Sequence, residues 1–114
     1  MRKISGKQKE RNKGKGERTK KLHDLFREIW DEREDERGYC YCYETNRELP
    51  GFTFRSNTCC FHHLLPKSKY PELEFCKENI VILHPDIHSQ VEKDIKKCPK
   101  VEKLLNRVKE HFNI

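Results

Sequence analysis

The chain is 114 residues long, 39% of them charged and 33% hydrophobic, with a formal net charge of +6. That length holds one small domain at most, and the low apolar share restricts the core and leaves part of the chain with too little surface to bury. No apolar run approaches the ~18 residues of a transmembrane helix and none follows the basic start as a secretory signal would, so the sequence predicts a cytoplasmic protein with no membrane partner.

The basic excess lies at the start. Residues 1–21 hold ten Lys/Arg against two Glu, a charge of +8, while residues 22–114 hold fifteen Lys/Arg against seventeen acidic residues, a charge of −2. With three glycines and almost no apolar side chains, this segment reads as a disordered basic tail over residues 1–20. Such a tail either only solubilises the chain or, through residues such as Lys13, Lys15 and Arg18, contacts phosphates and releases counterions.

Leu22, Leu25, Phe26, Ile29 and Trp30 recur at helical spacing and predict an amphipathic helix from about Lys20 to Glu36, stopped by Gly38. Tyr39 to Tyr43 alternates cysteine and tyrosine and predicts a strand with a thiol face and a phenol face. Thr45 to Gly51 reads as turn, and Thr53 to His62 as further strand broken near Ser56-Asn57. Leu64 to Leu73, with Pro66 and Pro71, reads as loop, and Ile80 to Leu83 as a short buried strand. Pro85 opens a helix through about Lys97, Cys98-Pro99 breaks it, and Val101, Leu104, Leu105, Val108 and Phe112 mark one face of a last helix. The expectation is an α+β domain over residues 21–114, its core at about 39–97, flanked by one N-terminal and one C-terminal amphipathic helix.

Six cysteines without a secretion signal predict reduced thiols, metal ligands or buried small side chains. Cys40 and Cys42 are one residue apart, Cys59 and Cys60 adjacent, and Cys76 and Cys98 isolated, so no Cys-x2-Cys zinc knuckle is present. Cys40, Cys42, Cys59 and Cys60 read first as buried packing.

The chemistry concentrates in His62, His63, Asn79, His84 and His88. Adjacent residues of a strand point to opposite faces, so His62 and His63 suit different tasks, one a metal ligand and the other a proton acceptor. His88 at the start of a helix supplies a second ligand, and Glu92, four residues on, shares its face. A His/His/Glu set suits a divalent ion with positions left open for water and a phosphate oxygen, as metal-assisted phosphodiester hydrolysis requires. His84, directly before Pro85, reads as a helix-start residue.

Phe61-His62-His63-Leu64-Leu65-Pro66-Lys67, followed by Glu78-Asn79-Ile80-Val81-Ile82-Leu83-His84-Pro85-Asp86-Ile87-His88, resembles the HNH endonuclease family, its three letters falling on His63, Asn79 and His88. The lead-in from Phe26 to Pro50 looks like that of small HNH proteins of phages and bacteria, and the likeness spans roughly residues 22–95. The resemblance implies a ββα-metal (His-Me finger) core and metal-dependent hydrolysis of DNA. It implies His63 as the general base, His62 and His88 as ligands of a divalent ion, and Asn79 as the residue that holds His63 in line. Glu92 stands where many members carry a further histidine and is the implied third ligand. Mg2+ or Mn2+ is the implied ion, with Zn2+ or Ni2+ as other choices. The family's structural zinc knuckles fall here on Cys42 with Thr45 and on His84 with Ile87, so a structural zinc is expected to be absent or rebuilt from Cys40, Cys59 or Cys60.

Lys67 and Lys69, in the loop after the double histidine, are candidate contacts to the DNA backbone, with Arg47 and Arg55 weaker ones. Tyr39, Tyr41 and Tyr43 offer stacking surfaces, although a packed strand face accounts for them more simply. Two functions are consistent with these residues. One is a DNA endonuclease, nicking one strand if monomeric. The other is a non-catalytic nucleic-acid-binding module that kept the fold.

Overall fold

The computed structural model describes residues 6–114, with the side chains of the first helix described from Gly16 onward. The described residues form an α+β fold of four α-helices and two small antiparallel sheets. Helix α1 spans Gly6–Arg33, beginning well before the apolar stripe. The residues ahead of the stripe are mostly Lys, Arg, Gln and Glu, which propagate a helix readily once its other end is anchored. Of the tail expected to be disordered, residues 1–5 lie outside the described residues, as do the side chains of Lys13 and Lys15.

The stripe itself is buried as its spacing requires: Phe26, Ile29 and Trp30 enter the core, with Leu22 and Leu25 packed against it. The helix ends at Arg33, earlier than Glu36: the Asp35 N–H leaves the helical pattern for the Tyr39 carbonyl (2.8 Å), while the Arg33 guanidinium reaches the carbonyls of Ile80 (3.1 Å) and Lys77 (3.4 Å). Asp35 then organises the exit, accepting the backbone N–H of Tyr39 (3.0 Å) and of Arg37 (2.9 Å) and the hydroxyl of Tyr41. Gly38, at φ 79°, serves this turn and does not cap the helix.

Strands β1 (Tyr39–Tyr41) and β2 (Glu48–Pro50) pair antiparallel, Cys40 opposite Leu49. The expected thiol and phenol faces hold: Cys40 is buried, while Tyr41 meets Asp35 and Tyr39 lies beneath Arg37. The segment 48–50, expected as turn, is thus a strand. Asn46, at φ 60°, reverses the chain in a turn closed by the N–H of Asn46 on the Cys42 carbonyl (2.7 Å), and Leu49 then has a partner.

The strand expected over Thr53–His62 is a helix, a turn and a short strand. α2 spans Gly51–Phe54, a 3-10 turn covers Thr58–Cys60, and β3 is Phe61–His63. The Asn57 side chain accepts the Cys59 N–H (2.9 Å), a local bond that competes with a ladder. β3 pairs antiparallel with β4 (Ile80–Ile82), His62 opposite Val81. α3 spans Pro85–Lys93, opened by His84, whose Nδ1 accepts the Asp86 N–H (3.1 Å), in keeping with its expected helix-start role. Asp94 leaves the helix and caps a 3-10 turn at Ile95–Lys97, so the helix stops short of Lys97.

α4 (Pro99–His111) buries Val101 and Val108. Its first N–H groups, which lack intrahelical partners, are met from across the molecule by Glu44, which accepts from Lys100 (2.9 Å) and Val101 (3.1 Å). Between the sheets and helices the core runs from Trp30 and Leu49 through Phe61, Ile80, Val81, Ile82 and Leu83 to Val91, Cys98 and Val101. Phe26 stacks on Phe61 at 4.4 Å and 2°, seating α1 directly behind the double histidine.

Candidate functional site

β3 and the start of α3 bring the predicted ligands together. His62 and His88 face each other with ring centroids 4.9 Å apart, and Nε2 of His88 lies 3.1 Å from Oε1 of Glu92. The ligand atoms of His62, His88 and Glu92 lie within 4.8 Å of one another, and no other set of three or more His, Cys, Asp or Glu does so among the described residues. His88 and Glu92 meet because four residues make about one helical turn, and β3 carries His62 alongside.

The state of each ring follows from its neighbours. Burial, aided by the nearby rings of His88 and His63, lowers the His62 pKa to about 4, which leaves an uncharged imidazole with a free lone pair at neutral pH. Nδ1 of His88 lies 2.7 Å from the Cys59 carbonyl, which can only accept, so Nδ1 carries the proton. Its Nε2 then faces a carboxylate. A neutral imidazole has only one N–H, so this second contact calls for another proton or a cation between Nε2 and Oε1. An imidazole pinned by a backbone carbonyl and aimed at a carboxylate is a fitting donor for a divalent ion.

His63 stands apart from the set. Its Nε2 lies 2.8 Å from the carbonyl of Glu74, so that nitrogen donates and Nδ1 is left with its lone pair free to take a proton. The ring also lies against Phe26, centroids 6.1 Å apart. The loop carrying Glu74 is fastened by Asn79, fully buried, whose Oδ1 accepts the Leu65 N–H (2.7 Å) and whose Nδ2 donates to the carbonyls of Leu65 (3.0 Å) and Leu73 (3.3 Å). Asn79 therefore ties both ends of the 64–73 loop, next to the residue that orients His63.

His62, His63, His88 and Glu92 open into one cleft of about 590 Å³, with Leu22 and Phe26 of α1 on one wall, Val91 and Ile95 on the other, and Lys67 at the rim. Lys67 and Lys69 are both exposed. Arg18, itself exposed, is held in an ion pair with the buried Glu74. Arg55 is engaged by Asp31 through two contacts of 2.9 Å, and Tyr43 takes a hydrogen bond from Arg107 (3.0 Å). Arg47 is exposed.

All six cysteines are free. Cys40, Cys42 and Cys60 are buried as expected, but Cys59 is exposed, because the 3-10 turn breaks the alternation that would have hidden it. Burial pushes the thiols of Cys40 and Cys60 up to about 12, which keeps them protonated. Cys40, Cys59 and Cys60 do not form a convergent ligand set among the described residues.

Two contributors carry little or no mark in the sequence. The Cys59 carbonyl acts through the backbone and has no sequence signal. Glu74 has a faint one, an acidic residue set directly between Leu73 and Phe75. No protein-family model matches the chain, and neither a curated protein nor a solved structure does.

Proposed function

We propose that the protein is a metal-dependent endonuclease of the HNH type that hydrolyses phosphodiester bonds in DNA. On this reading β3, β4 and α3 form a ββα-metal core. The observation that carries it is the convergence of His62, His88 and Glu92 beside a histidine whose free nitrogen is Nδ1. The cleft that holds both is rimmed by Lys67, which suits a phosphate.

In the reaction, Nδ1 of His63 takes the proton of an attacking water while the Glu74 carbonyl holds the opposite face of the ring. Asn79 keeps the loop from shifting as His63 gains charge. His62, His88 and Glu92 would hold the divalent ion, Mg2+ or Mn2+ before Zn2+ or Ni2+. Such an ion polarises the phosphate and offsets the charge developing on the leaving oxygen. The attraction to DNA rests on the basic tail and loop lysines, since residues 22–114 carry −2. The free thiols and the absence of any described helix apolar enough to cross a membrane suit action in the cytoplasm.

The test is nicking of supercoiled and linear DNA by the full chain with each ion. His63→Ala should lower the rate by at least ~100-fold without changing the melting temperature by more than a few degrees. Saturating Mn2+ should raise the melting temperature of the natural protein, and His88→Ala should abolish that rise. Salt-dependent DNA binding that His63→Ala leaves intact, with no turnover under any ion, would identify a binding module in place of an enzyme.

A further inference from the structure

The ion pair between Arg18 and Glu74 is out of keeping with both partners' surroundings. Glu74 is 1% exposed, yet its carboxylate receives no donor other than Arg18 among the described residues. Arg18 comes from the basic segment, 56 positions away, and grips it with two nitrogens, Nε on Oε1 at 3.0 Å and Nη2 on Oε2. One turn further along α1, Lys21 lies over the ring of Phe75 at 4.6 Å. α1 thus straps residues 74 and 75 at two points. The strapped residue is the one whose backbone carbonyl holds Nε2 of His63.

A buried carboxylate stripped of its partner is destabilised and swings toward water. Asn79 restrains the neighbouring Leu73 carbonyl but makes no bond to that of Glu74. The turn that carries the Glu74 carbonyl is closed by the Glu74 N–H on the Pro71 carbonyl (3.3 Å) and the Cys76 N–H on the Leu73 carbonyl (3.2 Å), and Arg18 and Lys21 hold that turn in place against α1.

We propose that Arg18 is a positioning residue for His63: by anchoring the buried Glu74 carboxylate it fixes the carbonyl that keeps the proton on Nε2 and the lone pair on Nδ1. The inference deepens the nuclease reading, on which the importance of that lone pair rests. It also assigns to one arginine of the basic segment an internal task in place of a phosphate contact.

The experiment follows the His63 ring by 15N NMR in the full chain, alongside steady-state nicking. The natural protein should show an Nε2–H signal protected from exchange. In Arg18→Met that protection should vanish and kcat should fall about 10-fold, the usual scale for a supporting interaction, with KM changed less than about twofold. Adding Glu74→Gln to Arg18→Met removes the stranded charge and should restore the signal and most of kcat. Arg18→Lys, which keeps the charge but not the two-nitrogen grip, should fall between. If Arg18→Met does not fold, Arg18→Lys decides and is required to show weaker Nε2–H protection than the natural protein, while the double variant is required to regain it. An undiminished signal and kcat in Arg18→Met or Arg18→Lys would overturn the proposal. So would a rise in KM alone, which marks Arg18 as a DNA contact. A natural protein that shows the protected Nε2–H, loses it in Arg18→Met and yet cuts no DNA would sink the nuclease reading and leave the positioning role standing.

Discussion

His62 shows how far one residue's surroundings set its chemistry. Its folded pKa of about 4 lies below the unfolded value of 6.5, so between those values the unfolded chain binds more protons than the folded one. Stability should therefore be complete above pH 6.5 and decline as pH falls toward 4, by up to about 3 kcal/mol from this ring alone. Thermal melts of the metal-free protein from pH 4 to 7 should show the decline, and His62→Phe should flatten it. Asp35 acts lower down: the Tyr41 hydroxyl and two backbone N–H groups hold its carboxyl near 2, so its contribution disappears only as pH falls from 3.8 toward 2. At this scale the sequence was legible where a side chain supplies the chemistry. His62, His88 and Glu92 were all found from spacing, and their ligand atoms do converge. Residues that act through a backbone carbonyl, Cys59 and Glu74, were not, since every residue type has the same carbonyl.

Among the elements, those with strong apolar periodicity were readable and those made by pairing were not. The stripe of α1 and the face of α4 follow from a 3.6-residue repeat that burial alone can satisfy, while α3 was marked by Pro85 at its start. β2 lies in turn-rich sequence and exists because β1 offers a ladder, and α2 exists because the chain must leave β2 sharply. Gly51 marks that exit: a Cβ there would stand 2.4 Å from the Gly38 carbonyl oxygen and 3.5 Å from Nε1 of Trp30. Backbone cannot yield as a flexible side chain does, so Gly51→Ala should cost about 1–3 kcal/mol, read as a lower urea midpoint with unchanged slope. A midpoint equal to that of the natural protein would show that the two turns are not packed this closely.

For the whole molecule, charge is arranged by region. The acidic end of α1 is largely answered within the fold, with Glu28 and Glu32 on Lys77 and Asp31 on Arg55. Residues 1–15 hold seven Lys/Arg and one Glu. Deleting them leaves Arg18 and its partner in place, and should weaken DNA binding and lower the salt slope by about 0.9 for each phosphate no longer neutralised. A slope equal to that of the full chain would show that the segment does not touch DNA.

By itself the sequence determined the α+β class, the amphipathic helices, the charge division and the residue types gathered at the cleft, because these depend on local repeat and composition. Tertiary structure alone decided that Glu44 caps α4, that β2 pairs with β1, and that Arg18 pairs with Glu74. Each of these joins groups far apart in the chain through hydrogen bonds or a buried charge, and the need of a buried polar group for a partner says only that one must exist, not which residue the fold will bring to it.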